Sequence, residues 1–236
     1  MITVHNVAIA TYLMCMAEPL PQDPTLDEVR AALISDVATN AAFDGWGPQA
    51  VATAAQMHGI DPDIARLAFN DGAVAMIDAW FAHIDAEMTR QLPPETLGQM
   101  KIRARITALV ETRLDIVAPD RESLRRAAAI LAMPQNVPRA AKLGWRAADA
   151  MWRLAGDTAT DFNHYTKRMT LSAVYGSTIA VFLDDDSEDH ADTRAFLARR
   201  IDNVMQFEKV KAQAKARTEH RPSLSRFIGR LRYPVS

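Results

Sequence analysis

From Pro24 onward the apolar residues of this 236-residue chain return every three or four positions, and runs of strict alternation long enough for a strand are hard to find. A period of 3.6 buries one stripe of a helix, whereas a period of two buries one face of a strand, so the pattern commits the chain to an all-α fold. Thr25 with Glu28 three positions later has the form of a capping box, and Leu26, Val29, Leu33 and Val37 set the stripe of a first helix behind it. The text Phe43-Asp44-Gly45-Trp46-Gly47-Pro48 breaks that helix. Short helices are expected over 49–57 and 62–69 around a turn at His58-Gly59, followed by one over 73–89. Pro93 and Pro94 open a helix reaching Val117, and further helices are expected over 122–133, 138–154, 162–182 and 192–216. These fall into an N-terminal extension (1–24), a helix-turn-helix-like subdomain (25–90), a helical bundle (91–217) and a closing linker with an amphipathic helix (218–236).

The 162–182 helix is apolar on nearly all sides after Met169, which places it inside a bundle or along an apolar cavity. Tyr175, Ile179 and Phe182 are its central apolar residues and the candidates for such a cavity's wall, although core packing explains them as well. Its Ser172, Ser177 and Thr178 are expected to bond backbone carbonyls.

Composition removes several function classes. With 49% hydrophobic and 24% charged residues, the chain can bury roughly 70–75% of its unfolded surface. Cys15 is the single cysteine, so no internal disulfide and no C-x-x-C site is available, which fits a reducing compartment. The first twenty residues are apolar, but no Lys or Arg precedes Arg30, so neither a secretory signal nor a transit peptide is expected there; a mobile extension, or a start at Met14 or Met16, is. No run of eighteen apolar residues suggests a membrane span.

Catalytic patterns are missing. The histidines at 5, 58, 83, 164, 190 and 220 form no H-E-x-x-H or E-x-x-H, so a helical-bundle di-iron site cannot be built, and the lone Asp161-x-x-His164 reads as a surface pair. Gly45-x-Gly47-x-x-Ala50 follows a helix and contains Pro48, unlike a dinucleotide-binding turn. No nucleophile elbow or phosphate loop is present. The expectation is a non-enzyme with neither metal nor cofactor.

Residues 43–80 have the cadence of the tetracycline-repressor (TetR) family's DNA-binding domain, with an Ala-x-x-Ala-x-x-x-Gly turn followed by a short helix in the recognition position. The charges disagree with that use. Residues 48–71 offer Arg66 as their one Lys or Arg against Asp61, Asp63 and Asp71, and the two leading aspartates stand where a reading helix approaches base edges. Asp61 then serves as a helix cap, and no nucleic-acid partner is expected. A ligand-responsive transcriptional regulator of the TetR type is the alternative.

The most irregular text is 152–183. Asp161, His164, Tyr165 and Arg168 recur at i, i+3, i+4 and i+7, giving a polar-aromatic stripe that is expected to face outward, opposite Phe162 and Met169. Asp149 and Met151 on the preceding helix are expected to join it. Gly156, Asp157, Thr160, Asp161, Phe162, Asn163, Tyr165, Thr166 and Arg168, then Tyr175, Asp192, Thr193, Phe196, Leu197 and Arg200, resemble the hallmark of the lipid-binding accessory proteins of ubiquinone (coenzyme Q) biosynthesis, the ninth-numbered coenzyme Q protein family. With the repressor-like half, the resemblance extends over nearly the whole chain after Pro24.

That resemblance implies a TetR-like homodimer that holds an isoprenoid or other lipid in an apolar pocket and presents ubiquinone precursors to the di-iron demethoxyubiquinone hydroxylase. Carried over position by position, the hydroxylase contact is Asp149, Met151, Asp161, His164 and Tyr165. His164 departs from the Trp of eukaryotic members. The lack of a transit-peptide pattern gives the expectation of a bacterial member, peripheral on the cytoplasmic face of the inner membrane.

The closing segment places Leu224, Phe227, Ile228 and Leu231 at i, i+3, i+4 and i+7, with Arg226, Arg230 and Arg232 around the other face. This is the pattern of an interfacial helix, about three turns long and marginal in water by itself; a helix packed back on the bundle is the other reading. The resemblance implies a membrane-docking foot on a flexible tether near 215–221. Net charge is −2, yet residues 199–233 hold ten Lys or Arg against Asp202, Glu208 and Glu219, a surplus of seven that leaves the preceding residues nine negative. An acidic body with a basic tail suits anionic headgroups better than DNA.

Overall fold

A computed structural model describes residues 21 to 219 except 22, 159 and 161. Its first helix, α1 (Leu26–Asp44), starts as the sequence dictates: Glu28 N–H donates to Thr25 Oγ1 at 3.3 Å, and Thr25 N–H donates to Glu28 Oε2 at 2.8 Å. Reciprocal satisfaction of two otherwise orphaned N–H groups is what fixes a helix start at a capping box. Val29, Leu33 and Val37 are fully buried.

Helices α2 (Pro48–His58) and α3 (Pro62–Ala68) form the helix-turn-helix. Gly59 ends α2 with φ +64°, a left-handed conformation that a side chain resists, and Asp61 caps α3 by accepting from Asp63 N–H at 2.8 Å. Helix α4 (Ala73–Gln91) runs from this unit into the bundle, burying Met76, Ile77, Trp80, Phe81, Ile84 and Met88. At about 1.5–3 kcal/mol for each large apolar side chain removed from water, α4 contributes much of the cohesion between the two halves. Trp46 adds to it, donating Nε1–H to Ser123 O at 3.0 Å and packing on Trp80 with ring centroids 5.2 Å apart.

The single helix expected from Pro93 to Val117 is two: α5 (Pro94–Gly98) and α6 (Ile102–Val117). Gly98 is a poor helix former, and the Arg105 guanidinium donates to Gly98 O at 3.1 Å and Met100 O at 2.9 Å, holding the bend. Helices α7 (Arg121–Leu131), α8 (Val137–Leu154), α9 (Phe162–Leu183) and α10 (Ala191–Glu219) complete the order, with short 3₁₀ turns at Ala118–Asp120, Pro134–Asn136 and Glu188–His190. Helix α10 continues into the stretch read as a flexible tether, because Lys, Ala, Arg and Glu there favour helix and the first breaker is Pro222. The described elements are helices and turns, packed as an α-bundle.

One apolar cluster runs from Val29 to Ile201. A charged seam crosses it: Arg113 on α6, fully buried, pairs with Asp85 on α4, Arg146 on α8 lies 3.4 Å from Asp85, and Arg146 also bonds Asp78. The Arg113 guanidinium sits 5.0 Å from the centroid of the Tyr175 ring.

Candidate functional site

Helices α8 and α9 form a hairpin whose turn is closed by backbone. Gly156, with φ +89°, donates to Arg153 O at 3.0 Å while Asp157 N–H donates to Trp152 O at 2.9 Å. A side chain at 156 would meet strain from that φ and a close approach to Arg105 Nη1, 3.3 Å from where its Cβ would stand. Arg105 itself donates to Ala155 O at 2.7 Å, tying the hairpin turn to the α5–α6 bend.

Behind the turn, side chains form an ion-paired clip. Arg168, 2% exposed, donates Nε–H to Asp149 Oδ1 at 2.5 Å and Nη1–H to Asp157 Oδ2 at 3.1 Å. Asp157 also accepts from Lys167 Nζ at 2.6 Å, Asp149 forms an ion pair with Arg153 Nε at 2.8 Å, and Lys167 Nζ lies 5.2 Å from the Trp152 ring centroid. Truncating one member of such a pair leaves a buried charge uncompensated, so the Gly-Asp and Lys-Arg parts of the 156–168 motif first of all lock the hairpin.

The outer face carries an aromatic patch. Trp145 on α8 lies 6.0 Å from Tyr165 and 6.4 Å from His164, and the His164 and Tyr165 rings meet edge-on at 5.2 Å. Tyr165 is 56% exposed and Met169, one turn on, 64%. Large exposed apolar groups grouped with aromatics mark an interaction surface.

Several sequence expectations change. Met151 is fully buried: Leu143, Ala147 and Met151 form the core stripe of α8 at i, i+4 and i+8, and Met151 is two positions from Asp149, so the two do not share a face. Arg168 faces inward to its two carboxylates, and Met169, expected on the opposite side, is exposed on the patch. Asp149 is half-buried and held by Arg168 and Arg153. Asp161 lies outside the described residues, as do Leu224, Arg226, Phe227, Ile228, Arg230 and Leu231. Trp145 and Met169 were missed; the signal was a Trp on the helix preceding the motif and a Met four positions after Tyr165.

On the other side of the hairpin lies a cavity of about 570 Å³. Ile106, Leu171, Val174, Ile201, Val204 and Met205 form its apolar part, and Arg103, Asn163, Thr166, Lys167 and Thr170 its polar part. This is the size and mixture of a small amphipathic ligand site. Tyr175, Ile179 and Phe182 do not line it. Tyr175 and Phe182 are core residues, under Arg113 and between Arg121 and His190 respectively, and Ile179 packs against the same core. Residue 175 stands one position, about 100°, from Val174, and that rotation separates the cavity face of α9 from its core face.

The helix-turn-helix presents different chemistry. Met57, Ile64 and Leu67 are 65%, 43% and 54% exposed, Asp61 and Asp63 are exposed, and Arg66 is paired with Asp63 at 3.1 Å. A hollow of about 830 Å³ beside α3, floored by Trp46, Phe69 and Met76, is separate from the hairpin cavity. Among the described residues no group of three or more His, Cys, Asp or Glu is placed to hold a metal ion, and no helix is long and apolar enough to cross a membrane.

Comparison with known proteins falls on the same elements. The sequence model of the COQ9 family matches residues 137–208, which span α8, α9 and the first part of α10. The chain is similar to the human protein named "Ubiquinone biosynthesis protein COQ9, mitochondrial", 35% identical over 182 residues that cover 74% of this chain and 57% of that protein. It is similar to the Drosophila melanogaster protein of the same name at 28% identity, over 82% of this chain and 60% of that one. The chain thus spans somewhat over half the length of these curated relatives. Its structure is similar to that of a TetR transcriptional regulator from Nitrosomonas europaea, with a TM-score of 0.59, 23% identity and coverage of 73% of this chain and 95% of that one. At that identity the likeness is one of fold, and the fold here is TetR-like.

Proposed function

The chain belongs to the COQ9 family, and from that premise we propose that it is a non-catalytic lipid-binding accessory protein of ubiquinone biosynthesis. It binds an isoprenoid quinone precursor in the hairpin cavity and presents it to the demethoxyubiquinone hydroxylase. The observation that carries this reading is the two-sided hairpin: one turn of α9 sends Asn163, Thr166 and Lys167 to the cavity and His164 and Tyr165 to the aromatic patch. A ligand with its polar head at that end lies beside the surface its recipient docks on, which is the geometry a hand-over needs. Apolar side chains along α6, α9 and α10 accommodate the chain of the lipid.

The basic segment with Leu224, Phe227, Ile228 and Leu231 and its arginines supports peripheral attachment to an anionic membrane, in a bacterial member the inner face of the inner membrane. Exposed Ala173, Gly176, Ser177 and Ala180 on α9 would let a helix of a second copy approach closely, which supports a homodimer. The acidic, apolar helix-turn-helix supports the absence of a nucleic-acid partner.

The test is extraction of the purified protein with organic solvent, with co-purified isoprenoid quinones or their precursors expected. Thr170→Trp, which fills the cavity, should lose that lipid and keep hydroxylase binding. Tyr165→Ala should keep the lipid and lose the hydroxylase. Lipid content unaffected by Thr170→Trp would overturn the site.

A further inference from the structure

We propose that the cavity opens between α6 and α10, with the stretch of α10 from Asp202 to Met205 as its lid and the Arg103–Asp202 ion pair as the latch. The inference rests on the lipid-pocket reading above and concerns how that pocket is entered.

The cavity has four walls, and they are held with very different strength. The α8–α9 hairpin is closed by the buried Arg168 with Asp149 and Asp157, and its turn is pinned by Arg105. Opening on that side would strand buried charges. Among the described side chains of α10, the buried and paired contacts lie mainly toward its beginning. There Asp185 accepts from Thr193 N–H at 2.8 Å, Arg194 reaches Asp115 at 3.0 Å and Glu111 at 3.7 Å, and Leu197 is fully buried. Two turns on, Arg103 Nη2 meets Asp202 Oδ1 at 2.6 Å, with side chains 51% and 48% exposed. Beyond it, Val204 is partly buried and Met205 is 46% exposed, both over the cavity.

The pairs Arg194–Glu111 and Arg103–Asp202 set α10 antiparallel to α6, so the seam between the helices runs from a rigid end at Asp115 to the latch at the start of α6. A half-exposed ion pair is weak, and salt screens it. It is therefore the element that breaks first when α10 moves. Helix α10 continues from this stretch toward the basic segment of the sequence, so attachment of that segment to a membrane would act on the latched end of the seam rather than on the pinned one.

Cys15 is the only cysteine, which makes the test clean in the full chain carrying Cys15→Ser. Arg103→Cys with Asp202→Cys is joined by a short bifunctional maleimide after loading with a dansyl-labelled farnesyl probe, and release is followed by fluorescence. Release should be about tenfold or more slower after cross-linking than before. Asp202→Asn, which removes the latch without touching the cavity lining, should release the probe about two- to fivefold faster. Raised ionic strength should speed the parent toward that variant and leave the variant unchanged. Unchanged release from the verified cross-linked protein, or equal rates in the parent and Asp202→Asn, would overturn the latch. Failure of the parent to take up the probe at all would instead remove the lipid-pocket reading, and the lid with it.

Discussion

The helix-turn-helix and the α8–α9 hairpin are built on the same plan and differ in what their side chains do. Each is a pair of helices joined at a glycine with positive φ, Gly59 in one and Gly156 in the other, and each exposes apolar side chains. In the helix-turn-helix the charges are exposed and local, as in Arg66 with Asp63. In the hairpin the charges are buried and join distant positions, as in Arg168 with Asp149 and Asp157. A turn with a left-handed glycine is thus a general device, and function is legible only in where the surrounding charges are kept.

Breaking the clip is the strongest test of that contrast. Arg168→Ala should destabilise the fold by about 3–5 kcal/mol, read as a shift of the urea midpoint, since it leaves two carboxylates of the hairpin short of their partner. If the variant unfolds like the parent, the clip is not what holds the hairpin.

Two loop aspartates sharpen the comparison next. Asp185, between α9 and α10, is 5% exposed; burial raises its pKa, but the hydroxyls and N–H groups of Ser187 and Thr193 outweigh this and hold the carboxyl well below the ordinary range. A lowered folded pKa stabilises at pH values above the unfolded pKa of about 3.9, and that stabilisation fades as pH falls toward the folded value. Asp185→Asn should therefore cost about 1–3 kcal/mol near neutrality, with the two stability curves converging below about pH 4. Asp61→Ala, removing an exposed cap of α3, should cost about 1 kcal/mol. Equal losses in thermal melts at pH 7 would erase the distinction between buried and exposed caps.

On the surfaces, Tyr165→Ala should weaken hydroxylase binding by about tenfold or more with stability within about 0.5 kcal/mol of the parent, as expected of an exposed aromatic anchor. Leu67→Ser, similarly exposed on α3, should leave that affinity unchanged. Isothermal calorimetry with both variants separates a specific patch from general stickiness. The smallest effect belongs to Arg66→Ala, within about 0.5 kcal/mol in the same urea assay that condemns Arg168→Ala.

Much of this was readable from residues. The capping box at Thr25 and Glu28, the cap at Asp61 and the turn at Gly59 are local chemistry, complete within four positions, and the structure has them where the sequence puts them. The break at residues 99–101 was not readable, because Arg105 holds it through carbonyls that a helical pattern does not flag. Trp145 was missed because its partners His164 and Tyr165 lie nineteen and twenty positions away across a turn.

Periodicity, caps and breakers alone determined that this chain is a helical bundle, that capped helices start behind Thr25 and Asp61, and that the text after Gly156 is distinctive. Tertiary structure decided what that text does. A helix such as α9 packs against α6, α7, α8 and α10, and its sequence does not say which 100° sector meets which neighbour. Packing turned Arg168 and Met151 inward, set Met169 on the surface, and gave the cavity to Leu171 and Val174 instead of Tyr175 and Phe182. The physical reason is that local propensity depends on residues a turn apart, whereas burial depends on surfaces contributed by helices many residues away.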